Sequence, residues 1–130
     1  MRQDMLTNIY SELIKDETII KYVGKRIRYY DYPENEDVNK TRVIITPLSP
    51  PNYETGGSDI GLTVYFSFQI DVQSEDRKIC KEVQAAVNQI MAAFNFAQMP
   101  GGLDEYFETT KLFVDARRYE GHTRIYDNNY

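Results

Sequence analysis

The chain has 130 residues, a formal net charge of −5 and a single cysteine. Its length suits one domain, residues 1–130, with a real core, and its acidic balance speaks against bulk phosphate binding, which needs a positive field. One cysteine leaves no intrachain disulfide and points to an intracellular protein; neither a secretion leader nor a membrane span is expected, because no apolar run approaches the roughly 20 residues that cross a bilayer.

From the start of the chain, residues 2–15 predict an amphipathic helix. Met5, Leu6, Ile9, Tyr10, Leu13 and Ile14 form one wide apolar stripe, and Asp4 and Glu12 fall outside it. "TIIKYVG" predicts a short helical turn capped at Gly24. "KRIRYYDY" is rich in β-branched and aromatic residues and reads as a strand stopped by Pro33. A polar loop, "PENEDVNK", leads to a second strand, "TRVIIT", closed by Pro47.

"PLSPPNYETGGSDIG", at about 47–61, is the longest irregular segment. It is expected to be a long loop between two antiparallel strands, either a loose tip or an arm that orders against a partner. In "LTVYFSFQIDVQ", Val64, Phe66, Phe68 and Ile70 alternate with Tyr65, Ser67 and Gln69, so one face of this strand is buried and the other is not. The period then changes to three and four, with Ile79, Cys80, Val83, Val87 and Ile90 on one stripe of a long helix. Ser74 is the expected N-cap, with Glu75 and Asp76 at the positive end of the dipole, and the helix is expected to run to about Phe94. "MPGG" is expected to end that region. "KLFVDARRYEGHTRIY" predicts a closing hairpin that turns near Glu120 and Gly121, and a frayed tail is expected from about 127. The resulting fold class is α+β: a mainly antiparallel sheet of about four to five strands with two helices packed on one face.

The residues offer no catalytic constellation. His122, the one histidine, beside a predicted turn is a solvated strand residue and not a metal site. Cys80 sits on the apolar stripe and behaves as a small core residue. Glu34, Glu36 and Asp37 lack the glycine and bidentate glutamate of a calcium loop. Gly56-Gly57 and Gly101-Gly102 do not stand between a strand and a helix as phosphate loops do, and serve as turn residues. The reading is therefore no enzyme, no cofactor and no metal.

The sequence supplies interface residue types instead. Eleven tyrosines and no tryptophan suit half-buried sheet faces and protein contacts. The candidates are Tyr65 on the free face of the long strand, Arg117, Arg118 and Tyr119 in "DARRYEG", and Tyr53, Glu54 and Asp59 on the long loop. Arginine and tyrosine desolvate well at contacts, and the loop acids could meet the arginines of a neighbour.

"FSFQIDVQSEDRKICKEVQAAVNQIMAAFNF" resembles the central block of the tail completion, or tail terminator, proteins of long-tailed bacteriophages. The residues that carry the likeness are Gln69, Ile70, Asp71 and Val72 at the end of the strand and Phe94 at the end of the helix. The opening helix, the strand ending in "ITPL", the variable loop and the closing "DARRYEG…RI" segment agree in layout. The resemblance implies a virion protein without enzymatic activity, made in the host cytoplasm. It implies a homo-oligomeric ring, typically a hexamer, at the head-proximal end of the tail. Such a ring stops tube polymerisation and contacts the major tail tube protein and the head completion or connector protein. No membrane and no sequence-specific nucleic acid partner is implied, although DNA passes through such rings. The alternatives are a related head–tail joining protein and a small α+β binding or adaptor module of a bacterial cell.

Overall fold

The computed structural model describes residues 5–32, 40–50, 52–55 and 62–124; of 52–55, 62–63 and 123–124 only the backbone is described. In chain order the elements are α1 (Met5–Leu13), α2 (Glu17–Tyr22), β1 (Ile27–Tyr29), β2 (Arg42–Pro47), β3 (Asn52–Thr55), β4 (Leu62–Ser74), α3 (Arg77–Ala93), β5 (Ala97–Phe107) and β6 (Leu112–Arg124). The strands form one sheet in the order β1-β2-β4-β6-β5, with β3 also paired to β4. Every pairing is antiparallel except β1 with β2. α3 lies across β4, β5 and β6, and α1 and α2 pack against α3. The fold is α+β, as the sequence predicts.

The two periods of the central unit bury each other. Val64, Phe66, Phe68, Ile70 and Val72 of β4 share one core with Cys80, Val83, Val87 and Met91 of α3, and Ile90 packs at its margin. Met5, Ile9 and Leu13 bring α1 into the same core, whereas Ile14, at the end of the predicted stripe, is exposed. Burying such side chains is worth about 1.5–3 kcal/mol each, and this fixes which face of the sheet the helices cover.

Five local expectations are corrected. The segment 47–61 is not one loop, because Asn52–Thr55 pair with Leu62–Tyr65 and so extend the line of β2 along β4. Four residues separate Pro47 from Asn52, while only Phe66 and Ser67 separate their partners Phe68 and Tyr65. Proline lacks the N–H that a ladder needs, so Pro50 cannot continue the pairing between β2 and β3. β1 ends at Tyr29, four residues ahead of Pro33. The cap of α3 is Asp76, whose Oδ1 accepts from the N–H of Lys78 and Ile79; Ser74 turns inward to bond Thr41 at 2.9 Å.

The closing hairpin also differs. β6 runs unbroken through Glu120 and Gly121, and its partner is β5, which contains "MPGG" as a shift of register between Met99 and Leu103. Gly102, at φ 97°, brings its backbone so near Ala116 that a Cβ would lie 2.2 Å from that carbonyl oxygen. Gly121 is a packing glycine: a Cβ there would lie 2.0 Å from the Phe96 ring. Neither requirement is visible in a local turn pattern. The expected tail lies outside the described residues.

Candidate protein interface

Antiparallel partners share a face, and the face alternates along each strand. Phe68 faces Tyr119, Ile70 faces Arg117 and Val72 faces Asp115, so these β6 residues lie under the helices. Tyr65 faces His122, Ser67 faces Glu120 and Gln69 faces Arg118, which puts them on the helix-free side. The four residues Tyr65, Arg117, Arg118 and Tyr119 therefore do not form one patch. Tyr65 and Arg118 share the open face; Arg117 and Tyr119 do not.

On the open face the side chains hold one another. Tyr65 Oη donates to Glu120 Oε1 at 2.8 Å, and its ring lies 5.1 Å from that of His122. Arg118 Nε donates to Gln69 Oε1 at 3.0 Å, and Gln69 Nε2 donates to Asp71 Oδ1 at 3.0 Å. Burial raises the Asp71 carboxyl above its ordinary value, and the bond from Gln69 opposes that rise. The result is a half-buried row of preset polar groups and aromatic edges, a surface that needs little reordering to meet a protein. Of the loop candidates, the backbone of Tyr53 and Glu54 is paired with Val64 and Thr63 of β4, while Asp59 lies outside the described residues.

Tyr119 is fully buried, with Oη 3.4 Å from Gln84 Oε1. Burial pushes its phenol up to about 12. Gln84, also fully buried, donates through Nε2 to the carbonyls of Ile70 at 3.1 Å and Asp115 at 2.6 Å, tying α3 to β4 and β6. Sequence reasoning missed Gln84; its signal was a polar residue one position after Val83 on the helix's inner stripe. Arg117 is committed to Asp115, with Nε 3.1 Å from Oδ1. Lys81 Nζ bridges Asp115 at 2.7 Å and Asp104 at 2.5 Å. Burial tends to lower the pKa values of Lys81 and Arg117, but their carboxylate partners outweigh it and hold both up. The bond from Lys81 holds Asp104 below the usual range. This ionic cluster is an architectural tie between α3 and the β5–β6 hairpin.

Cys80 is buried, its Sγ 3.2 Å from the carbonyl of Val72, and burial pushes the thiol up to about 11. That favours the protonated, unreactive form. Glu34, Glu36 and Asp37 lie outside the described residues. Among the described residues no cluster of His, Cys, Asp and Glu is arranged to hold a metal, and no helix is long and apolar enough to cross a membrane.

No family model and no curated protein matches the chain. Among solved structures, the chain is similar to one described as "Virion of native gene transfer agent (GTA) particle", with a TM-score of 0.63 and 12% identity over 88% of this chain and 90% of that one. The likeness spans nearly the whole of both chains and shows a shared fold.

Proposed function

We propose that the protein is a structural subunit of a phage-like virion and that it acts as a tail terminator. Copies would form a hexameric ring on the head-proximal end of the tail tube. The ring would stop tube growth and receive the head connector. The observation that carries this reading is the near-full-length similarity in fold to a chain of a gene transfer agent virion. The tail-terminator resemblance of the β4–α3 block agrees with it independently. The role proposed is non-catalytic: the buried polar groups described above are spent on tying α3 to the sheet, and the open face carries contact residues.

Tyr65 and Arg118 are assigned to contact on that open face. Arg117 and Tyr119 are withdrawn from the contact because they serve the interior. The test is Arg118→Glu in a phage or prophage carrying this gene, with electron microscopy of lysates. The expected result is tails of abnormal length, or heads and tails left unjoined. Normal virions in normal numbers, from a variant shown to be folded, would overturn the assignment of this face. Normal virions after deletion of the gene would overturn the role itself.

A further inference from the structure

Five of the eight large hydrophobic side chains exposed among the described residues stand on or directly beside the two outermost strands of the sheet. At the β1 edge they are Tyr30 (66% exposed) and Tyr29 (39%). At the β5 edge they are Tyr106 (45%), Leu103 (37%) and Phe107 (36%). Exposed apolar groups gathered at two separate places, instead of scattered singly, mark contact surfaces.

The segment that leads into β1 and the end of β5 carry opposite charge, with Asp31 the one acid beside Tyr30. Residues 21–28, "KYVGKRIR", hold Lys21, Lys25, Arg26 and Arg28 and no acid. Residues 103–108, "LDEYFE", hold Asp104, Glu105 and Glu108 and no base. Lys21, Lys25, Glu105 and Glu108 are all exposed.

Tyr30 adds a sign of its own. It has φ 68°, and the N–H of Asp31 donates to the carbonyl of Tyr29 at 2.7 Å across it. This is a γ-turn of the rare positive-φ kind, strained for a side chain with a Cβ. The turn holds the most exposed of these aromatic rings outward. Strain of this sort, in a residue that contributes nothing to the core, belongs with function.

We infer that the Tyr29–Tyr30 edge of one copy docks on the Leu103–Tyr106–Phe107 edge of a second copy. Lys21 and Lys25 would lie toward Glu105 and Glu108 of that second copy. The occupant of each edge is thus another copy of this chain. Two different patches on opposite edges of one rigid sheet make a head-to-tail contact, which gives a ring where the rotation closes. Closure into a ring rests on the function proposed above; the contact itself rests on the two edges alone. Because the paired charges are exposed, the contact is weakened by salt.

The test uses the full chain with single cysteines at the two edges, Tyr30→Cys in one preparation and Thr109→Cys in another. The native Cys80 is buried and gives no background. The two preparations, one tagged, are mixed at high concentration and bridged with a short bis-maleimide. The expected result is tagged–untagged heterodimer in roughly tenfold excess over either homodimer, and ladders or closed circles from a chain carrying both cysteines. Lys21→Glu with Lys25→Glu should weaken the cross-link roughly tenfold or more, and Glu105→Lys with Glu108→Lys on the opposing chain should restore it. Homodimers equal to heterodimers, no cross-link at any concentration reached, or no rescue by the charge swap would each overturn the inference. Cross-linking that behaves as expected beside normal virions after gene deletion would leave the contact standing and remove the tail role. Defective tails with no edge-specific cross-link would do the reverse.

Discussion

Arg117 and Arg118, neighbours in sequence, stand on opposite faces of the sheet. Arg117 lies opposite Ile70 on the helix side and binds Asp115, while Arg118 lies opposite Gln69 and donates to it on the open side. One residue of strand separates an architectural arginine from the arginine proposed for contact. The two substitutions should therefore separate: Arg117→Ala should lower stability, and Arg118→Ala should leave it nearly unchanged while disturbing assembly.

Phe68 sits 4% exposed between β4 and the helices, with the rings of Phe66 and Phe96 at 6.1 and 6.0 Å. Phe68→Ala removes that packing and leaves a cavity. The expected loss is about 3–5 kcal/mol, read as a lower denaturant midpoint at unchanged slope. An unshifted midpoint would contradict the register of β4.

Gly121→Ala should destabilise by about 1–3 kcal/mol through overpacking, because the new methyl would meet the Phe96 ring. Adding Phe96→Leu should recover part of that loss, since the clash is with one ring. Additive effects in a double-mutant cycle would disprove the contact.

The Lys81 bridge predicts an acid limb. Asp104 has a lowered pKa, so its contribution to stability is present above the ordinary carboxyl value of 3.8 and is lost as pH falls through the lowered one. Lys81 is raised above 10.5, so its contribution is present below 10.5 and is lost only as pH rises through the higher value. Urea unfolding of Lys81→Met across pH 2–6 should show a flatter acid dependence than the wild type. Parallel curves would show that the bridge does not contribute.

Cys80 should resist thiol reagents in the folded protein at pH 8 and react fully in denaturant, because burial raises its pKa to about 11 and covers the sulfur. Modification of the native protein at the rate of a free thiol would mean that α3 lifts from β4 on that timescale.

The sequence by itself determined the central unit and the fold class. A strict period of two in Val64–Ile70 followed by a period of three and four in Ile79–Ile90 leaves one solution, because both stripes end at a short junction and must bury each other. That is local information, carried by residues within one strand and one helix. What lies beyond it depended on partners distant in the chain. Gly121 looks like a turn until the Phe96 ring is placed against it, and "MPGG" looks like a stop until Gly102 is set beside Ala116 of β6. Tyr119 and Arg117 look like surface residues until the register with Phe68 and Ile70 turns them inward. The opposite-charged edges existed in the sequence as "KYVGKRIR" and "LDEYFE", but only the strand order β1-β2-β4-β6-β5 sets them at the two ends of one sheet. Register and strand order come from long-range pairing, which no local period encodes.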